Sequence, residues 1–283
     1  MLTPAKINLD LLITGRRKDG FHLLDSVVVF VGYGDELTAK AADGLSLDIK
    51  GAFANKLNND PENLVLKAAR KLCEFAGVKP DIKFQLTKNL PVSSGIGGGS
   101  SNAAAALKLT MELLNLDVGD VDLRKLALSL GADVPVCLQS NTSHMTGIGE
   151  NIKQIDLCGG QPILLVNPGV SVSTPDIFKS FKNMALPFTS RKPVDFNQIN
   201  WTLMLEHLKA SKNDLQMPAS VINASVSEVI EKLKNLEGLI FSRMSGSGAT
   251  CFALFESDDL CKKASKSLSN QHETWWIKAT NII

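Results

Sequence analysis

Residues 90–102, Leu-Pro-Val-Ser-Ser-Gly-Ile-Gly-Gly-Gly-Ser-Ser-Asn, run directly into Ala103–Ala106, and Gly95, Gly97, Gly98 and Gly99 fill four of five consecutive positions. Glycine adopts positive φ at low cost and lets the backbone approach a ligand closely. Ser100 and Ser101 then bring hydroxyls to the start of a helical pattern, in which Ala103, Ala106, Leu107, Thr110, Leu113 and Leu114 recur at helical spacing. A helix start leaves N–H groups unpaired and carries a partial positive charge, and the two together attract phosphate. The chemistry implied is the binding of a phosphorylated ligand, with a nucleotide as first candidate.

The loop is none of the commoner phosphate loops. A Walker loop needs a lysine after its second glycine, and no lysine stands between Gly95 and Leu107. The dinucleotide fingerprint needs a third glycine, but the sixth position counted from Gly95 is Ser100 and from Gly97 is Asn102. The His-Arg-Asp and Asp-Phe-Gly segments of protein kinases are absent from the sequence.

Four other groups carry polar chemistry. Pro4–Leu9 (PAKINL) places Lys6 and Asn8 on one strand face, either solvated or, near a phosphate, supplying a compact cation. Gly131-Ala132-Asp133-Val134-Pro135 sets a carboxylate just past a helix end, where it is either a turn former or a base for an acceptor hydroxyl. Gly20-Phe21-His22 offers an aromatic face beside a donor/acceptor ring, suited to a nucleobase, although Phe21 could equally fill a core. Met244–Ala249 (MSGSGA) is a second small-residue loop, serving a ligand or simply turning a hairpin.

These groups need elements to hold them. Ile7, Leu9, Leu11 and Ile13 alternate with polar residues as in a half-buried strand. Residues 15–20 form a turn-rich loop, and residues 26–31, 45–49 and 82–86 are further strands. Asp60-Pro61-Glu62 opens a helix that Gly77 should close. Residues 122–130 form a helix ended by Gly131, and residues 163–166 a buried strand. Residues 219–235 have the pattern of one amphipathic helix. A strand over 250–255, a helix over 258–268 and a strand over 274–279 complete the chain. Strands and helices mix without steady alternation, which predicts an α+β fold. A change of character near residue 154 divides the chain into domains of 1–154 and 155–283.

With 283 residues, 44% hydrophobic and 21% charged, the composition is that of a globular protein. A net charge of +1 gives no reason to expect a nucleic-acid partner. No apolar run reaches membrane-spanning length and no signal segment is evident, so the expectation is a cytoplasmic protein with no membrane partner. Cys73, Cys137, Cys158, Cys251 and Cys261 are odd in number and widely spaced, which disfavours zinc or disulfides and predicts buried free thiols.

Taken in order, these segments resemble the GHMP kinase superfamily over nearly the whole chain, from Pro4 to about Phe255. Within it they resemble the branch that phosphorylates the 2-hydroxyl of 4-diphosphocytidyl-2-C-methyl-D-erythritol in non-mevalonate isoprenoid synthesis. Residues 97–102 (GGGSSN), residues 4–9, Gly15-Arg16-Arg17, Asp19-Gly20-Phe21-His22, residues 131–135 and residues 245–249 carry the likeness. The resemblance implies a two-domain fold with its active site in the interdomain cleft, ATP and magnesium as cofactors, and a monomer or weak homodimer. It implies Lys6 and Asp133 as the catalytic pair. It implies ATP binding by Pro91, Val92, Ser93, Ser94, Gly95, Ile96, Gly97, Gly98, Gly99, Ser100 and Ser101. It implies substrate binding by Asn8, Phe21, His22, Thr174 and Phe178, with Phe178 closing the far side of the base. No dedicated metal ligand is assigned, Ser100 or Ser101 being the hydroxyls available to magnesium-ATP. The branch usually has tyrosine where Phe21 stands, and Phe keeps the π face while losing one hydroxyl.

Overall fold

The computed structural model describes residues 1–57 and 62–283. Its elements run β1 (Leu2–Asn8), β2 (Leu12–Arg16), β3 (His22–Ala41), β4 (Ser46–Lys50), α1 (Leu64–Ala76), β5 (Ile82–Thr87), α2 (Gly98–Leu113), α3 (Asp120–Leu130), α4 (Val134–Gln139), β6 (Ser143–Gly147) and β7 (Asn151–Gln154). They continue with β8 (Pro162–Asn167), α5 (Thr174–Asn183), α6 (Trp201–Ala210), α7 (Gln216–Ile222), α8 (Ser225–Lys234), β9 (Leu239–Met244), β10 (Cys251–Phe255), α9 (Asp258–Gln271) and β11 (Trp276–Asn281). The mixture is α+β, as expected. The chain forms two compact units, each discontinuous in sequence. The first holds Met1–Lys6, Tyr33–Val92 and Gly97–Ser140; the second holds Ile7–Gly32, Ser93–Ile96 and Asn141–Ile283. The strands β1 and β3 contribute residues to both.

In the first unit the later half of β3 pairs antiparallel with β5, Glu36–Ala41 against Ile82–Thr87, and β5 pairs in parallel with β4. Ile82, Phe84 and Leu86 alternate inward and are fully buried, as their spacing predicts. Helices α1 and α2 pack together, with Val65, Ala68, Ala69 and Leu72 on one and Ala103, Ala104, Ala106 and Leu107 on the other. Alanine is the best helix former and its short side chain lets the two axes approach. Gly77 closes α1 at φ 67°, and Gly131 caps α3. Asp60 and Pro61 lie outside the described residues; the helix runs from Leu64, with the Asn63 side chain accepting the Val65 N–H as its N-cap.

In the second unit the first half of β3 pairs with β2 and β6, and β6 with β7. A separate antiparallel sheet has the order β11-β8-β10-β9. One face of it is packed with side chains of α5, α7, α8 and α9, among them Ile177, Ala219, Val229, Leu233 and Ala264. Each large aliphatic or aromatic side chain sealed this way contributes roughly 1.5–3 kcal/mol.

Three expectations need correction. Residues 219–235 are not one helix: α7 ends at Ile222 and α8 begins at Ser225. Asn223 between them is extended, and its side-chain oxygen accepts the Ser225 N–H, a local bond that competes with helix propagation. The alternating residues Ile7, Leu9, Leu11 and Ile13 do not form one half-buried strand: β1 ends at Asn8, β2 begins at Leu12, and residues 3–13 are all buried, polar ones included. Cys158 is exposed, whereas Cys73, Cys137, Cys251 and Cys261 are buried and free. Among the described residues no helix is long and apolar enough to cross a membrane.

Candidate active site

The first unit brings Lys6 and Asp133 together. The Lys6 ammonium lies 2.7 Å from Asp133 Oδ1; Lys6 is 3% exposed and Asp133 36%. The lysine is therefore sealed along its length while the carboxylate keeps an open side. Asp133 occupies the N-cap position of the short α4 but makes no cap hydrogen bond, because its side chain turns to Lys6 instead. A solvated strand face is excluded for Lys6, and a plain turn role does not account for this pairing.

The lysine also lies under the glycine loop. A Cβ added to Gly97 would stand 3.0 Å from Lys6 Cβ and 3.4 Å from its Cε. Gly97, at φ 64°, is the N-cap of α2 and offers no side chain to its orphan N–H groups. The helix start is consequently open to an anion, with an ammonium alongside. Two buried bonds bolt this turn to β1: Ser101 Oγ donates to the Pro4 carbonyl at 2.8 Å, and Thr3 Oγ1 donates to Asn102 Oδ1 at 2.8 Å. Ser101 is thus spent on the scaffold, and it also sits 3.4 Å from the Cys137 thiol, whose pKa burial pushes up to about 12. Ser100, half-buried in the first turn of α2, is the hydroxyl left for a ligand.

Sequence reasoning missed what holds the lead-in to this loop. Asp35, fully buried, forms an ion pair with Lys88 and accepts the N–H groups of Asn89 at 2.7 Å and Leu90 at 2.8 Å. Burial lowers the Lys88 pKa, and Asp35 opposes that shift. A charge in a strand of no particular pattern carries no local signal of such a role.

In the second unit Ser93–Ile96 is gripped by the turn between β9 and β10. Ser94 O accepts the Thr250 N–H at 3.1 Å, and Gly95 O accepts from Ser245 Oγ at 3.1 Å. Gly95, at φ +74°, leaves no room for a side chain: a Cβ would stand 2.6–2.7 Å from Ser245 O and the Gly248 backbone. The Met244–Ala249 segment is therefore both a hairpin turn and a support for the glycine loop.

Asn8 is 1% exposed, its N–H bonded to Ser245 Oγ at 3.0 Å and its amide Nδ2 donating to Ser26 Oγ at 2.8 Å. Asn8 Oδ1 is buried without a partner among the described residues. Phe21 is 60% exposed, which removes the core-filler reading. His22 stacks on Phe178 with ring centroids 4.8 Å apart and planes 17° apart, and meets the edge of Phe181 at 6.0 Å. Burial, and after it the charge of Arg16, lowers the His22 pKa. Because the two rings already touch, Phe178 backs His22, and the open aromatic face belongs to Phe21. Thr174 is exposed and its hydroxyl lies 2.8 Å from Ser247 Oγ.

Comparison with known proteins identifies the family to which the chain belongs. The family description "GHMP kinases N terminal domain" matches residues 63–141 and "GHMP kinases C terminal" matches residues 194–273. A 4-diphosphocytidyl-2-C-methyl-D-erythritol kinase from Granulibacter bethesdensis is 45% identical over 95% of this chain and 89% of its own length. One from Paramagnetospirillum magneticum is 42% identical over 99% of this chain and 97% of its own. A crystal structure of a 4-(cytidine 5'-diphospho)-2C-methyl-D-erythritol kinase superposes with a TM-score of 0.80 at 29% identity, covering 100% of this chain and 98% of that one. The open helix start with its lysine–carboxylate couple, and this likeness along both halves, lead to one conclusion: the chain belongs to the GHMP kinase family and, within it, to the 4-diphosphocytidyl-2-C-methyl-D-erythritol kinases.

Proposed function

We propose that Lys6 and Asp133 are the transfer centre of this kinase, moving the γ-phosphoryl of ATP to the 2-hydroxyl of 4-diphosphocytidyl-2-C-methyl-D-erythritol. The observation that carries the reading is the 2.7 Å contact with Asp133 of the ammonium of Lys6, a lysine whose side chain runs alongside Gly97. The triphosphate lies over residues 95–100, held by backbone N–H groups and the start of α2. In the reaction the substrate oxygen bonds to phosphorus, the bond from phosphorus to the β-phosphate oxygen breaks, and ADP leaves. The hydroxyl proton passes to Asp133. A tertiary alcohol is far too weak an acid for a carboxylate to ionise beforehand. In a loose transition state the proton leaves late, so a modest base in the right place suffices. Lys6 offsets the charge on the phosphoryl oxygens, and most of the rate comes from position.

Magnesium fits the donor set. Among the described residues no cluster of three or more His, Cys, Asp or Glu could form a protein cage. Magnesium bound to nucleotide needs only one or two protein oxygens, its other ligands being phosphate and water. Ser100 would supply one, and the ion when bound would neutralise phosphate charge.

The cytosine would stack on Phe21, with His22 beside it to read the base edge, its pKa lowered by burial and then by the charge of Arg16. Asn8 Oδ1 is an acceptor for a substrate hydroxyl. Phe21→Ala is expected to weaken the cytidyl substrate by roughly 1–3 kcal/mol, the worth of one stack, with turnover at saturation little changed. An unchanged KM for that substrate would return Phe21 to a surface role. The whole reading is tested by ATP turnover on the cytidyl substrate against the same alcohol without the cytidyl group. Equal turnover of both would overturn it.

A further inference from the structure

The turn joining β2 to β3 contains a cation that the proposed reaction has not used. Arg16 and His22 are directly opposed across the β2–β3 ladder, so their side chains leave the same face. Arg16 Nε donates to the Gly20 carbonyl at 3.1 Å, and its Nη2 lies 3.5 Å from where a Gly20 Cβ would stand. That single bond aims the guanidinium along the turn, while Nη1 and Nη2 have no partner among the described residues. Its neighbour differs: Arg17 pairs with Asp19 at 2.7 Å. The turn itself is closed by Arg17 N–H to Phe21 O at 2.8 Å and Gly20 N–H to Arg17 O at 3.0 Å, so Arg16 is not needed to form it. Its charge reaches His22, where it adds to the effect of burial on that ring.

We propose that Arg16 recognises the diphosphate of the cytidyl substrate, its two free Nη groups meeting phosphate oxygens while the base lies on Phe21 and His22. This rests on the base-stacking reading above. A guanidinium anchored at Nε presents a planar pair of donors matched to phosphate, which a lysine cannot reproduce. In a nucleoside diphosphate the phosphates begin one ribose away from the base. A cation across the ladder from the base-reading histidine is placed to take them. Arg16 is thereby a specificity residue that separates a nucleoside diphosphate from the bare nucleoside.

Competitive inhibition by CDP and by cytidine, measured on the intact enzyme with Arg16→Gln, Arg16→Lys, Lys18→Gln and Phe21→Ala, tests this. Arg16→Gln is expected to weaken CDP by about 10-fold and leave cytidine unchanged. Arg16→Lys should recover only part of the loss. Lys18→Gln removes the same charge from the same turn and should shift CDP by less than about 2-fold. The proposal is overturned if Arg16→Gln and Lys18→Gln act equally, if cytidine weakens as much as CDP, or if CDP is unaffected. Failure of the stacking reading would show differently: Phe21→Ala would leave both inhibitors unchanged while the Arg16 effect stood.

Discussion

Asp133→Asn is expected to lower turnover by about two to four decades, the cost of losing a positioned general base, with ATP affinity nearly unchanged. The substitution keeps size and hydrogen-bonding shape but removes the proton acceptor and the partner of the Lys6 ammonium 2.7 Å away. Lys6 itself is 3% exposed, so the variant leaves a buried cation short of a counter-charge. Part of the effect will therefore appear as lost stability, typically 3–5 kcal/mol when one member of a fully buried pair is removed, and less here because Asp133 is partly open to solvent. Two measurements separate the contributions: single-turnover phosphoryl transfer with ATP prebound, and nucleotide affinity by calorimetry. Transfer within a factor of a few of wild type would remove Asp133 from the chemistry.

The second large effect lies in the other unit. Arg191 sits in the irregular segment between α5 and α6 and closes a buried network. It bonds Asp10 through Nη1 at 2.7 Å and Nη2 at 3.0 Å, and it pairs with Asp25. His207 lies 3.0 Å from Asp10, His144 lies 2.7 Å from Asp25, and Phe196 packs against both imidazoles and the guanidinium. Asp10 is fully buried. Burial alone would raise its pKa, but the His207 and Arg191 contacts outweigh that and hold it well below the usual carboxylate range. Arg191→Met leaves two carboxylates without their main counter-charge and is expected to cost about 3–5 kcal/mol near pH 7, read from denaturant midpoints.

The pH dependence gives a sharper reading. Asp10 titrates lower in the folded chain than in the unfolded one. Its stabilising contribution is therefore present above the unfolded value of 3.8 and is lost as pH falls toward the lowered folded value. Without Arg191 that depression shrinks, so the variant should lose less than the wild type on acidification, and the two stability curves should converge at low pH. A gap that stays constant as the pH is taken well below 3.8 would mean that Arg191 acts by packing alone.

The network also reaches Asn8, proposed above to meet the substrate, through the backbone of Asp10. Ser26 Oγ donates to the Asp10 carbonyl at 2.6 Å, which uses its only proton, and so it can only accept from the Asn8 amide. That order of donors fixes which end of Asn8 is left without a partner.

What the chain states by itself is what local chemistry dictates. Glycines at positions of positive φ, among them Gly77, Gly95 and Gly97, mark the end of α1, the bend of the phosphate loop and the start of α2. The alternation of Ile82, Phe84 and Leu86 marks β5, and the run of motifs marks the family. These signals are legible because each depends on residues within a turn or two of one another. The family motifs pointed to Lys6 and Asp133 as a pair, but their 2.7 Å contact, the commitment of Ser101 to Pro4 and the stacking of His22 on Phe178 were visible only in three dimensions. So was the Arg191 network, whose members span residues 10 to 207. Burial turns a lysine, an arginine or a serine from a surface group into a committed one, and burial is a property of the packed chain. No spacing of residues along the backbone encodes which distant carboxylate a cation will meet.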